Sequence, residues 1–229
     1  MELNIIEKFL LLAHHPKKGG FSSSLKYIKL GFAGSVFLEL ALLDKLSIKK
    51  RRIFLKNNNK PVKHIFLKNI LEELDQANKP KVLKSRILSL YRKRSSGIWM
   101  FIEEIAYKDL VHVEEKNFLG IIPYRKSFVI DSEVQDSLIA DCKAKLTSGQ
   151  ELSAQDRALI GLIDICKLYS NISSKRSERR LLEQNAKSIL KTMPAENSID
   201  DAVNQTLKII NATMYLTIYY GPFSSISRK

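Results

Sequence analysis

SSSLKYIKLGFAGSVFLELALLD, residues 22–44, is the segment around which we expect the rest of this chain to pack. Its apolar residues recur every three or four positions, the spacing of one face of an α-helix. They are Leu25, Ile28, Phe32, Val36, Leu40 and Leu43. The second half of the segment is apolar nearly all round, so we predict a central, buried helix. Gly31, Ala33 and Gly34 would let neighbouring helices approach it closely.

The remaining chain carries further helical patterns and two segments rich in β-formers. The helical patterns cover residues 3–14, 67–76, 81–94, 97–108, 131–146, 153–169, 175–191 and 198–220. Residues 46–66 predict a hairpin in which LSIKKRRIFLK and VKHIFL flank a turn at residues 57–61, because asparagines tolerate turn conformations. LVHVEEKNFLGII, residues 110–122, predicts a second hairpin with its turn at residues 114–117. We therefore expect a mostly α protein, a single-domain helical bundle over residues 1–229 with two small β-hairpins.

The charge of the chain is strongly positive and unevenly distributed. Its 38 Lys and Arg residues exceed its 24 Asp and Glu residues, for a net charge of +14. Residues 1–100 hold 21 bases and 7 acids, whereas residues 101–229 hold 17 of each, so the whole excess lies in the first part. Residues 45–71 are the densest stretch, with nine bases and no acid. Such an excess favours anionic partners, such as an acidic membrane face or a nucleic acid.

Sequence signatures of catalysis are missing from the chain. It has no P-loop, no dinucleotide-binding glycine pattern, no nucleophile elbow and no HExxH motif. The four histidines lack the spacing of metal ligands, and Cys142 and Cys166 stand alone in helical patterns. We therefore expect no enzyme activity, no metal and no cofactor.

The apolar segments are too short to predict a membrane-spanning helix. The best candidate, residues 31–43, is shorter than a bilayer requires and contains Glu39. The first residues carry Glu2 and Glu7 where a secretory signal would carry bases. The sequence thus predicts a cytoplasmic protein that can lie peripherally on the inner face of a membrane.

Four segments, in this order, resemble the Golgi phosphoprotein 3 family. They are LLLAHHPKKGGFSSS (residues 10–24), GFAGSVFLELALLDKLSI (31–48), KDLVHVEEKNFLG (108–120) and AQDRALIGLIDICKLY (154–169). The resemblance covers nearly the whole chain, and its specificity comes from the order and spacing of the motifs. It implies a predominantly helical bundle decorated with hairpins. Uncharacterised bacterial members also belong to this family, and the Lys- and Asn-rich composition looks more like theirs.

The resemblance also implies a function. Eukaryotic members dock on Golgi membranes by binding phosphatidylinositol 4-phosphate and act as adaptors for the cytoplasmic tails of membrane enzymes. One tryptophan and three basic side chains hold the lipid head group there. Carried over by position, these four residues fall on Ser24, Ala33, Met100 and Glu103, so none of them is retained in this sequence.

Three functional hypotheses remain open from the sequence. In the first, the protein binds anionic lipid head groups on a membrane surface, with Lys26, Lys29, Arg51, Arg52, Arg92, Lys93 and Arg94 as candidate contacts. In the second, it is an adaptor without a lipid role whose basic face receives acidic protein tails. In the third, it is a winged-helix-like nucleic-acid binder, which Glu114 and Glu115 at the predicted wing tip disfavour. The oligomeric state cannot be predicted from the sequence.

Overall fold

The computed structural model describes residues 2–77, 79–93, 95–118, 122–130, 132–191 and 198–220, and most of them are helical. The α-helices in this part of the chain are α1 (Ile5–Ala13), α2 (Leu25–Leu42), α3 (Ile65–Asp75), α4 (Leu83–Lys93), α5 (Ser95–Tyr107), α6 (Ser132–Thr147), α7 (Ala154–Cys166), α8 (Tyr169–Ile172), α9 (Arg176–Lys191) and α10 (Ile199–Tyr215). A π-helical turn, Leu216–Tyr220, continues α10. Two antiparallel hairpins, β1–β2 and β3–β4, complete the fold. The prediction of a mostly helical protein with two small hairpins is confirmed.

Helix α2 lies at the centre of the helical packing, as its apolar pattern predicts. It contacts α1, α4, α7 and α10, and nearly every residue from Leu30 to Ala41 is buried. The buried side chains of the described residues form one hydrophobic cluster that extends from Leu3 to Met214. The exposed residues of α2, Leu25 and Lys26, lie in its first turn.

Two glycines let other helices cross α2 at short distance. A Cβ atom on Gly31 would lie 2.5 Å from both Sγ of Cys166 on α7 and Cζ of Phe9 on α1. A Cβ atom on Gly34 would lie 2.5 Å from Cδ1 of Ile210 on α10. Both distances are shorter than non-bonded carbon contacts allow, so any side chain here would push the helices apart. The expectation of close packing at these small residues is therefore fulfilled.

The predicted position of the first hairpin is wrong. Strands β1 (Leu46–Lys49) and β2 (Arg52–Leu55) both lie within LSIKKRRIFLK, and their turn is Lys50–Arg51. Both turn residues adopt positive φ, 49° for Lys50 and 63° for Arg51, as a tight two-residue hairpin turn requires. The segment VKHIFL instead begins α3, because Nδ1 of His64 caps the helix by accepting the N–H of Phe66 at 2.9 Å.

The second hairpin is longer than its sequence pattern predicts, and its turn is not at residues 114–117. Strand β3 (Val111–Phe118) pairs with β4 (Ile122–Val129), and the residues that connect them lie outside the described part of the chain. Glu114 and Glu115 lie within β3, opposite Lys126 and Arg125. Glu115 forms an ion pair with Arg125 across the ladder, a favourable arrangement for cross-strand neighbours, whereas Glu114 pairs with Lys116 of its own strand.

Candidate anion-binding groove

A groove of about 890 Å³ lies between the β1–β2 turn, the start of α4 and the outer face of α10. Fourteen residues line it: Ile48, Lys49, Lys50, Arg51, Val82, Lys84, Asp201, Asn204, Gln205, Lys208, Ile209, Ala212, Thr213 and Leu216. Its volume lies within the range of small-molecule and cofactor sites. We call it the basic groove, because five of these residues are Lys or Arg.

Backbone hydrogen bonds join the hairpin to α4 and so bring bases from both elements together. The N–H of Leu83 donates to the carbonyl of Arg51 at 3.0 Å, and the N–H of Ile53 donates to the carbonyl of Lys81 at 2.9 Å. Ile48 and Ile53 anchor the hairpin in the core, at 2% and 4% exposure. Lys84, one residue into α4, is consequently held beside the hairpin turn.

The electrostatics of the groove favour an anion. Lys49, Lys50, Arg51 and Lys84 are all exposed, and Lys208 of α10 adds a fifth cation to the lining. The lining contains one acid, Asp201, whose carboxylate accepts the side-chain N–H of Gln205 at 2.9 Å. Cations that share one concave surface raise the local potential more than the same charges dispersed over a convex surface.

The structure brings only part of the predicted site together. Of the seven candidate residues, Arg51 lines the basic groove. Arg52, the next residue, is not part of the lining, and its guanidinium donates to the carbonyl of Pro80 at 2.9 Å. Lys26 and Lys29 lie in the first turns of α2, and Arg92 is exposed near the end of α4. The side chain of Lys93 and all of Arg94 lie outside the described residues. As contacts of a lipid, all seven residues stay predictions.

The groove also contains bases that the sequence did not single out as contacts. Lys49 and Lys50 belong to the basic run of residues 45–71, but their position at the rim follows from the turn. Lys84 and Lys208 belong to helices far apart in the sequence. Their outward direction could have been deduced from the buried faces of those helices, Leu83 and Ile87 on α4 and Leu207 and Ile210 on α10.

The four positions carried over from the family do not form an anion site here. Ala33 is fully buried, Met100 is partly buried and Ser24 is exposed before α2. Glu103 accepts a hydrogen bond from Nη1 of Arg125 at 2.8 Å. The same guanidinium donates to Glu115 at 3.1 Å and lies 6.0 Å from the ring centre of Trp99. Arg125 is thus engaged with two carboxylates and an aromatic ring.

A second cavity, of about 670 Å³, has the opposite charge character. It is lined by Glu2, Glu7, Glu39, Glu104, Lys63, His64 and Lys108, together with apolar and amide residues. Nζ of Lys108 lies 2.5 Å from the carboxylate of Glu7, and Glu39 accepts the N–H of Ile5 at 3.1 Å. Burial raises the pKa of Glu39 and also that of Glu104. Because carboxylates dominate its lining, this cavity is a poor site for an anion.

His64 contributes a neutral imidazole to this acidic cavity. Burial lowers the pKa of His64 to about 4. Its Nδ1 accepts the N–H of Phe66, so the ring proton is on Nε2, which lies 3.2 Å from Oε1 of Glu104. The ring also stacks on Phe101 with a centroid separation of 3.8 Å. His64 therefore acts as a helix cap, held by one hydrogen bond and by ring contacts with Phe101 and Phe66.

Neither a metal cluster nor a bilayer-spanning helix is found in the described part of the chain. No group of three His, Cys, Asp or Glu residues there has the arrangement of a metal site. None of the helices described combines the length and the hydropathy that crossing a membrane requires.

Comparison with known proteins identifies the family of the chain. No match to a curated protein was found. The sequence pattern that defines the family described as Golgi phosphoprotein 3 (GPP34) matches residues 5–209, which include α1 to α9 and more than half of α10. The chain therefore belongs to the Golgi phosphoprotein 3 (GPP34) family.

Proposed function

We propose that the protein is a non-catalytic, peripheral membrane protein that docks on anionic lipid surfaces through its basic groove and the surrounding bases. The observation that carries this proposal is the convergence of Lys49, Lys50, Arg51 and Lys84 on one concave surface. Family membership supports the general role, because the resemblance implies membrane docking for eukaryotic members. Each base close to an anionic membrane contributes on the order of 1 kcal/mol of attraction.

The ion pairs of the molecule leave this positive excess in place. Several bases of α6 and α9 pair with acids of the same second part of the chain, as in Lys143–Glu178, Lys145–Asp156 and Lys187–Glu183. The first part has internal pairs of its own, Lys56–Asp44 and Arg86–Glu73. Since residues 101–229 carry no net charge, neutralising the excess of residues 1–100 requires an external anion.

The proposed attraction depends on charge rather than on one head group. The family positions for phosphatidylinositol 4-phosphate are not basic in this chain, and Glu103 among them would repel a phosphate. We therefore expect phosphatidylserine and phosphatidylinositol 4-phosphate to recruit the protein equally when vesicles carry the same total charge. Acidic protein tails could use the same bases, which makes an adaptor role the alternative outcome of the experiment.

Vesicle co-sedimentation tests the proposal. The protein is expected to pellet with phosphatidylcholine vesicles that contain phosphatidylserine, but not with pure phosphatidylcholine. Raising the salt to about 0.5 M should release it, because the Debye length then falls to about 4 Å. Equal pelleting with both vesicle types, or none with either, would overturn the membrane role. In the latter case, capture of an acidic peptide would favour the adaptor.

A matched pair of variants tests the place of binding. Lys49→Glu with Lys84→Glu reverses two charges of the groove and should weaken pelleting strongly. Arg180→Glu with Lys191→Glu changes the net charge by the same amount on exposed positions of α9 and should have a much smaller effect. Equal effects of the two pairs would show that total charge, not the groove, determines binding.

A further inference from the structure

The lining of the basic groove has an apolar part, which we call its floor, and a charged part, which we call its rim. Five of its lining residues are apolar: Ile48, Val82, Ile209, Ala212 and Leu216. Leu216 is 43% exposed, which is unusual for a large apolar side chain in the wall of a cavity. A surface that binds phosphate groups by charge alone has no need of such a floor. The floor therefore points to a ligand that has an apolar part as well as an anionic one.

The dimensions of the groove suit an extended chain. Its lining follows α10 and the first residue of the π-helical turn after it, from Asp201 to Leu216, a length of about 22 Å at the rise of an α-helix. One acyl chain spans half of the hydrocarbon core of a bilayer, about 15 Å. The groove is thus long enough for one acyl chain together with a phosphate group, and its 890 Å³ is large enough to enclose both.

We propose that the basic groove takes up one anionic phospholipid, with an acyl chain on the floor along α10 and the phosphate beside Lys49, Arg51 and Lys84. This inference rests on the proposed function, because it assigns the ligand of the same surface. It differs from head-group docking in that the lipid chain leaves the bilayer and packs on the protein.

Charge complementarity argues for this occupant over others. A second copy of the chain would bring the same positive rim against itself, which costs free energy. A nucleic acid would satisfy the rim and leave the apolar floor in water. A basic or neutral peptide would leave the rim without a counter-charge. A phospholipid satisfies both parts of the groove at once.

Calorimetry with a single-chain lipid below its micelle concentration tests the inference without a membrane. Lysophosphatidic acid should bind with a negative heat-capacity change, the marker of apolar burial. Glycerol 3-phosphate, which has the head group alone, should bind at least about tenfold more weakly. Lysophosphatidylcholine, which has the chain but no net charge, should also bind more weakly. Equal affinity for lysophosphatidic acid and glycerol 3-phosphate would overturn the inference.

Two tryptophan substitutions on α10 test where the lipid chain binds. Ala212→Trp places a large ring on the groove floor at an exposed position and should abolish lysophosphatidic acid binding. Asn211→Trp, the neighbouring exposed residue outside the lining, is the control and should bind normally. Asn211→Trp should also still pellet with anionic vesicles. Vesicle pelleting without any lysophosphatidic acid binding by the unmodified protein would refute lipid uptake and leave the proposed function intact.

Discussion

Nε2 of His14 lies 2.7 Å from Oγ of Ser127 and joins the end of α1 to strand β4 inside the core. Nδ1 of the same ring lies 2.7 Å from the carbonyl oxygen of Leu10 and, as the protonated nitrogen, donates to it. Nε2 is then the acceptor, and the Ser127 hydroxyl donates to it. Both residues are buried, at 0% and 2% exposure. The ring is thus fixed as one neutral tautomer, and burial lowers the pKa of His14 to about 4.

This environment predicts acid sensitivity of the fold. Below pH 6.5 the unfolded chain protonates His14 while the folded protein does not, so stability falls until the pH reaches about 4. The loss from His14 alone is about 3 kcal/mol, since each pKa unit corresponds to 1.36 kcal/mol. Urea unfolding at several pH values should show this decline.

His14→Gln is the variant that assigns the decline to one residue. Burial also lowers the pKa of His64, so His64 adds to the loss of stability at low pH. The raised pKa of Glu39 has the opposite effect and makes the folded protein more stable as the pH falls. The contribution of His14 is therefore obtained from the difference between the wild type and the variant in how the free energy of unfolding depends on pH. The variant should be less stable at pH 7 and have a flatter pH dependence. Parallel curves for the two proteins would refute the assignment.

Gly34→Ala should destabilise the protein although alanine is the better helix former. The new Cβ would lie within 3.1 Å of three side-chain atoms of Ile210, so α10 must move away from α2. Overpacking of this kind costs about 1–3 kcal/mol. Chemical denaturation measures the change. Ile210→Val removes the nearest atom, Cδ1, so the double variant should recover part of the lost stability. If Gly34→Ala alone increased the stability, the close packing of α10 on α2 at this position would be contradicted.

Lys108→Met should destabilise the protein because it leaves the carboxylate of Glu7 without its cation. Glu7 is 1% exposed, and its carboxylate also caps α1 by accepting the N–H of Asn4 at 3.0 Å. Removing one partner of a buried pair costs about 3–5 kcal/mol, and the lower end applies here because Lys108 is partly exposed. Thermal unfolding of Lys108→Met and of the double variant with Glu7→Gln checks this. The double variant should be the more stable of the two.

Lys50→Asn with Arg51→Gly should stabilise the hairpin and weaken membrane binding. Both native residues adopt positive φ, a conformation that costs a side-chain-bearing residue roughly 1–2 kcal/mol. Asn-Gly is the preferred sequence for such a turn. The melting temperature should rise while pelleting with anionic vesicles falls. A lower melting temperature, or full binding to vesicles, would contradict the prediction that Lys50 and Arg51 strain the turn but contribute charge to membrane binding.

The helices were predictable because their apolar faces extend over several turns. The pattern from Leu25 to Leu43 located α2 within three residues at each end, and the glycines within it indicated where other helices cross. The hairpins were harder to place. Asn57, Asn58 and Asn59 look like the turn, yet the chain turns at Lys50 and Arg51, which have no intrinsic preference for positive φ. Tertiary docking of β2 against the residues before α4 outweighs local preference there.

The candidate site was predictable in its charge and not in its shape. The excess over residues 45–71 indicated an anionic partner, and Arg51, one of the predicted contacts, lines the basic groove. The groove, however, also requires residues of α10 such as Ile209, which is separated from the hairpin by more than 150 residues. No periodicity within either segment reveals that the two meet.

The convergence of Lys49, Lys50, Arg51 and Lys84 on one concave surface has a consequence for how the protein reaches a membrane. Together with the net charge of +14, these exposed bases attract the protein to an anionic bilayer before the two make contact, over roughly one Debye length. Arrival should therefore be fast at low ionic strength and slow sharply as salt shortens the range of the field.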